Sequence, residues 1–390
     1  MKFAQRMSRL GTETAFEVLA RAKALEAQGR DVIHLEIGEP DFDTPAHIVE
    51  AAVRALHEGH THYTPAAGVP ALRQTIARHI SESRGIDARP EQVVVTPGAK
   101  PIMFFTLLAL AEAGDEVIYP NPGFPIYESM INFVGATPVP LPLREERDFR
   151  FDADEFRSLV SDRTRLIILN SPQNPTGGVL TREDLQAVAD AARERSIMVL
   201  SDEVYEQILY EGEHASIASL PDMQELTILL DGYSKTYAMT GWRLGYGVMP
   251  ASLAEQVAKL MVNSNSCTAA FTQQAGIAAL TGPTDEVRAM VRAFHERRDV
   301  IVNGLNQIPG IRCVMPAGAF YAFPNVTGTG VGSQELADRL LNEAGVATLA
   351  GESFGAYGAG YLRLSYANSV ENIRAALERM GEVVSGLSAT

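Results

Sequence analysis

At 390 residues, the chain exceeds the roughly 250–300 at which one hydrophobic core stops growing, so at least two lobes are expected. Its 46% hydrophobic and 21% charged residues are an ordinary globular balance, which excludes a disordered or fibrous chain. A formal charge of -15 argues against nucleic acid or anionic membrane as general partners, so any anionic ligand needs a local cationic pocket. Cys267 and Cys313 are the only cysteines, too few for a disulfide framework or a thiolate metal cluster. No secretory signal pattern and no apolar run of membrane-spanning length is present, and a cytoplasmic location is expected.

From residue 92 short β-branched runs alternate with helical ones, the pattern of parallel strands joined by crossover helices. "QVVVT" (92–96) reads as a strand, "AKPIMFFTLLALA" (99–111) as a buried helix and "DEVIYP" (115–120) as the next strand. Strands at 165–170, 197–205 and 226–234 follow, with a helix from Thr181 to Ser196 that opens on a capping pair, Thr181 and Asp184. A long helix is expected over 287–307, then a strand in "GAFYAFPNV", a helix in "SQELADRLLNEAG", and a final strand and helix from "YLRLSYA" onward. Ligands of open α/β sheets bind at the carboxyl ends of strands, where "TPGAK", "YPNPGFP" and "NSPQNPTGG" lie.

One stretch at such an end, "YSKTYAMTGWRLGY" (233–246), holds Lys235 and Arg243 among few other charges. Alone, Lys235 reads as a solvated loop lysine. Asp202 closes another apolar strand, however, and would stand at the same edge. A lysine that can form a Schiff base, opposite a carboxylate that keeps a ring nitrogen protonated, is the requirement of pyridoxal 5'-phosphate chemistry. Tyr205, three residues beyond Asp202, is spaced for a phenol to reach the ring's O3′; in that setting Asn174 could donate its amide there too, and the "TPGAK" loop, Ser234 and Arg243 could hold the phosphate.

Seven motifs in order carry a resemblance over nearly the whole chain: "GEPDFDTP" (38–45), "YTPAAGVPALR" (63–73), "NPTGG" (174–178), "SDEVYE" (201–206), "SKTYAMTGWRLGY" (234–246), "AGAFYAF" (317–323) and "YLRLSYA" (361–367). The chain resembles the class I, fold-type I pyridoxal-phosphate aminotransferases, in particular the bacterial and archaeal aspartate aminotransferase subgroup. The resemblance implies an α/β fold in which a large domain, its mainly parallel sheet sandwiched by helices, joins a smaller α+β domain. The expected division is an N-terminal arm and part of the small domain (1–45), the large domain (46–286) and the C-terminal small domain (287–390). It implies that Lys235 binds the cofactor covalently, Asp202 pairs with the pyridinium, and Tyr205 and Asn174 contact O3′. Gly98, Ala99, Lys100, Ser234 and Arg243 would hold phosphate, and Phe124 would stack on the ring. Tyr63 would reach the partner's phosphate across a homodimer interface. Arg363 would bind the substrate α-carboxylate beside Gly38, and Lys100 a distal carboxylate.

The implied activity is amino transfer between an L-amino acid, aspartate favoured, and a 2-oxo acid such as 2-oxoglutarate, with ping-pong kinetics. Alanine or aromatic donors, a C–S β-lyase and, remotely, a non-enzymatic cofactor-binding sensor are the alternatives. Departures from the family pattern fall at Phe124, where Trp or Tyr is frequent, at Gln173 for Asn, and at Ala350 for Pro; they bear on substrate rather than cofactor. "HEGHTH" (57–62) matches no standard zinc spacing, and no metal is expected.

Overall fold

The computed structural model describes residues 1–387. The chain enters through helix α1 (Thr14–Glu26), a two-residue strand β1 (Ile33–His34) and helices α2 (Ala46–His57) and α3 (Pro70–Arg84). Alternation then sets in: β2 (Val93–Thr96), α4 (Lys100–Leu110), β3 (Glu116–Asn121), α5 (Ile126–Val134), β4 (Thr137–Pro142), α6 (Ala153–Leu159), β5 (Thr164–Asn170), α7 (Arg182–Arg195), β6 (Met198–Asp202), β7 (Thr227–Gly232) and β8 (Gly245–Val248). Helices α8 (Ala251–Ser264), α9 (Ala270–Thr281) and α10 (Asp285–Leu305) lead to β9 (Tyr321–Ala322), α11 (Ser333–Ala344), β10 (Val346–Ala347), β11 (Leu349–Ala350), β12 (Leu362–Ser365) and α12 (Val370–Leu387).

Seven strands form one sheet in the order β2-β8-β7-β6-β5-β3-β4. All neighbours are parallel except β8, which runs antiparallel to both β2 and β7. Along β5, Leu166 and Ile168 face a core shared with α4, α5 and α8, whereas Ile167 and Leu169 face one shared with α7. This strict alternation is what a sheet covered on both faces requires. Two smaller sheets lie beyond it: β1 pairs in parallel with β10, and β12 lies between β11 and β9. Here α10, α11 and α12 cover a core of their own, with Phe294, Ile301 and Leu305 of α10 fully buried.

The capping pair at α7 forms as the sequence predicts: Thr181 Oγ1 accepts from the Asp184 N–H at 3.2 Å and the Thr181 N–H donates back at 2.8 Å. Three expected elements are shorter. The strand read over 197–205 ends at Asp202, because Glu203 turns into a buried ion cluster. The one read over 226–234 spans Thr227–Gly232, and in "GAFYAFPNV" only Tyr321–Ala322 pairs regularly.

Five strands escape the sequence pattern: the two-residue β1, β10 and β11, and β4 and β8 of the large sheet. β4 carries Pro138, Pro140 and Pro142, which argue against a strand; it survives because it is the sheet edge. The N–H groups of Thr137 and Leu143 point inward to Asp115 and Asn121, so the prolines' missing donors lie on the outward side. β8 hides behind the Arg243 motif, in a run that looks like loop.

Candidate active site

Register alone assembles the site. Asn170 ends β5 opposite Asp202 at the end of β6, while Thr96 of β2 and Gly232 of β7 flank Gly245 where β8 begins. Four strand ends thus meet at one edge, above a cavity of about 540 Å³. Asp202, Lys235, Tyr205, Asn174, Ser234, Arg243, Phe124, Ala99, Lys100, Gly38 and Arg363 all line it.

The Asp202 carboxylate is buried, which pushes its pKa up to about 6; the Tyr127 hydroxyl, donating at 2.6 Å, and the Val204 N–H work against that rise. Across the cavity the Lys235 amine donates to the Gly38 carbonyl at 2.5 Å. Enclosure by the cavity walls lowers its pKa to about 8, and the charges of Arg363 and Lys100 add to the effect. The Tyr205 hydroxyl shares a 2.7 Å hydrogen bond with that of Tyr321, and burial raises its pKa well above the ordinary phenol value.

The "TPGAK" loop brings Arg243 close. A Cβ on Gly98, whose φ is +90°, would stand 2.3 Å from Arg243 Nη2, so only glycine admits the guanidinium there. The Gly98 N–H itself donates to the Thr96 carbonyl at 2.8 Å, leaving the α4 N-terminus behind it to face the cavity. Arg243 is exposed and donates to the Thr240 carbonyl at 2.8 Å. Phe124 packs edge-on against Tyr127, with centroids 5.6 Å apart, and the Lys100 ammonium lies 5.2 Å from its centroid.

Arg363, from β12, is carried to the large sheet by the smaller ones: the Ser365 N–H bonds to Leu35 at 2.7 Å and holds residues 36–38 against the strand. Its guanidinium donates to Asn174 Oδ1 at 3.1 Å and to the Glu36 carbonyl, and packs over the rings of Tyr321 and Phe354. Its buried Nε has no hydrogen-bond partner among the described residues. Gly38 has no room for a side chain, because a Cβ would sit 2.1 Å from the Tyr321 hydroxyl. Tyr63 is placed apart: 90% exposed, it does not line the cavity of its own chain.

Comparison with known proteins places this arrangement. Residues 30–380 match the family described as aminotransferase class I and II. The chain belongs to the class I and II aminotransferases. It is 39% identical to an aspartate aminotransferase of Geobacillus stearothermophilus, over 97% of this chain and 98% of that one. It is 41% identical to an aromatic-amino-acid aminotransferase of Thermococcus litoralis, over 92% and 93%. Among solved structures, an aspartate aminotransferase from Thermus thermophilus with maleate superposes with a TM-score of 0.94 at 38% identity, covering 98% of this chain and all of that one. The chain is therefore a transaminase dependent on pyridoxal phosphate, with amino and 2-oxo acids as substrates. No helix among the described residues is long and apolar enough to cross a membrane.

Sequence reasoning left several site residues unassigned. Tyr127, the hydrogen-bond donor to Asp202, sits in the first turn of a helix whose amphipathic pattern marks it only as core. Tyr321 lies inside a quoted motif, yet its contacts with Tyr205, Gly38 and Arg363 depend on long-range packing. Behind the site, Arg84 is shared by Glu203 at 2.8 Å, Asp231 at 3.2 Å and Glu206 at 3.4 Å, all of them buried. Carboxylates abutting the apolar strands at Glu203 and Asp231 were the available signal. Gln173, a departure from the family pattern, bridges the Pro122 carbonyl at 2.8 Å and Thr176, tying two site loops together.

Proposed function

We propose that this aminotransferase takes aspartate as its preferred amino donor and 2-oxoglutarate as acceptor, in a ping-pong cycle. The observation that carries the reading is the placement of three cations: Lys235 opposite Asp202, Arg363 with an unpartnered Nε at one end of the cavity, and Lys100 on its wall.

The residues suit pyridoxal phosphate. Lys235 would hold it covalently; Asp202, buried with a single side-chain donor among the described residues, has a carboxylate available for the ring nitrogen. Arg243, Ser234 and the α4 N-terminus at Ala99 and Lys100 would hold the phosphate, in the space that Gly98 keeps open for the guanidinium. Tyr205 and Asn174 would face O3′, and Phe124 the ring. When bound, the cofactor supplies the electron sink that stabilises negative charge at the substrate Cα.

The chain's own groups do the rest. Arg363 takes the α-carboxylate through its fork, with the Gly38 backbone alongside. That grip would aim the Cα–H at the Lys235 Nζ, freed once the substrate's own amine has taken its place, and its lowered pKa leaves it a competent base near neutral pH. Asp202 holds a proton on the ring nitrogen. Lys100 receives the distal carboxylate of aspartate.

Two copies would complete the unit. Val49, Val53 and Leu56 line an exposed apolar stripe on α2, and Tyr63 follows it with its ring in solvent. Both features suit a homodimer in which each Tyr63 reaches the partner's phosphate. The two sheet systems suit an N-terminal arm and part of the small domain over 1–45, a large domain over 46–286 and the C-terminal small domain over 287–390.

Half-reactions test the donor. Purified holoenzyme mixed with aspartate alone should convert its cofactor from aldehyde to amine form at lower concentration than with phenylalanine or alanine. Conversion by those donors while aspartate stays inert at high concentration overturns the dicarboxylate reading.

A further inference from the structure

We infer that Glu13 is a built-in competitor for the distal carboxylate, and that its ion pair with Lys100 sets how strongly this enzyme discriminates dicarboxylate from apolar donors. The inference rests on the reading of Lys100 as the distal-carboxylate group.

Glu13 stands at the N-cap of α1, where a side chain ordinarily accepts from the helix's first N–H groups. It makes no such bond; its carboxylate crosses to the Lys100 ammonium, 87 positions away in sequence. Only 18% of the Glu13 side chain is exposed, against 48% for Lys100, so the anion is the better buried partner. Both residues line the cavity, as does Phe16 in the first turn of α1. The charge of Glu13 is felt at Lys235 and Arg363, where it favours the protonated forms. It therefore lies within electrostatic reach of both substrate-facing cations.

The segment that holds it can give way. Residues 1–11 are exposed, and their side-chain ties to the body are the Gly11 N–H on Ser129 Oγ at 2.8 Å and Arg9 on the Phe133 carbonyl at 3.3 Å. Beyond the first turn α1 is anchored through Val18 and Ala22, which are buried against Ala347 and Leu349. The pair can part at the helix start without the helix leaving.

Two substrate classes then meet different walls. With the pair closed, the charges cancel beside Phe124, Phe16 and Met103, and the surface suits an aromatic or aliphatic donor. A donor with a second carboxylate must replace Glu13 on Lys100, and breaking that ion pair offsets part of what Lys100 offers it. Glu13 opposes that donor only through Lys100, so discrimination is set by the new pair's worth less that of the pair it replaces.

The test compares kcat/KM for aspartate with that for phenylalanine in holoenzyme carrying Glu13→Gln, Lys100→Ala or both. Glu13→Gln should raise the aspartate-to-phenylalanine ratio by on the order of 5-fold, the worth of a partly exposed ion pair. Lys100→Ala should lower it, and adding Glu13→Gln to Lys100→Ala should leave it unmoved. An unchanged ratio in Glu13→Gln, with Lys100→Ala lowering it as expected, overturns the competition while sparing the Lys100 reading. An unchanged ratio in Lys100→Ala overturns both. A rise from Glu13→Gln that persists without Lys100 means that Glu13 acts as a free charge, which also overturns the competition.

Discussion

Lys235 is useful because it is a poor cation. Its amine is lowered to about 8 from an ordinary 10.5 by enclosure, which outweighs the opposing pull of Glu39, while Arg363 and Lys100 add to the fall. The amine that attacks the cofactor's carbonyl must be neutral, so the rate at which apoenzyme captures pyridoxal phosphate should climb with pH and level off above about 8. Stopped-flow absorbance across pH 6–11 reads this directly; a climb continuing through pH 10 would mean an unperturbed lysine. The sequence made Lys235 and Asp202 legible because each closes an apolar run at a strand end. It could not make Tyr321 legible as the roof over Gly38 and Tyr205, since nothing local distinguishes that phenol from a core aromatic.

Between residue and fold, the Arg84 cluster decides how the catalytic strand ends are held. Glu203 directly follows Asp202 at the end of β6, and Asp231 lies near the end of β7, three residues before Ser234. One guanidinium from the last residue of α3 ties both strands down. Burial alone would raise Glu203, but Arg84 and His214 hold it at about 2. Since that value lies below the ordinary 4.5, its contribution to stability is complete above pH 4.5 and is lost as pH falls towards 2. Arg84→Met should cost about 3–5 kcal/mol in urea unfolding at pH 7, because it strands buried carboxylates. A loss under about 1 kcal/mol would show that the cluster is no tether, being no more than an exposed pair is worth. Elements of this scale were legible where hydrophobic period and cap agreed, as at α7. They failed where tertiary context overrode local pattern: the edge position rescues the prolines of β4, and the ion cluster cuts β6 short.

For the whole molecule the proposed dimer makes a sharp demand, because each site would draw Lys235 from one copy and Tyr63 from the other. Tyr63→Ala and Lys235→Ala chains, each deficient alone, should recover activity when unfolded together and refolded as a mixture. Half the dimers would then be hybrids with one intact site each, giving roughly one quarter of wild-type activity per site. Recovery no greater than the sum of the separate variants would mean that Tyr63 serves its own chain. The α/β alternation announced the large sheet, and the seven ordered motifs the family. The cavity's inner wall was hidden, because Glu36, Gly38 and Arg363 meet only through pairing between residues more than 300 positions apart.

Everything in this account turns on one amine. Holoenzyme reduced with borohydride, digested and read by mass spectrometry should carry the reduced cofactor on the peptide containing Lys235, and a Lys235→Ala chain treated alike should carry none. An adduct on another lysine, or none on the native chain, would contradict it.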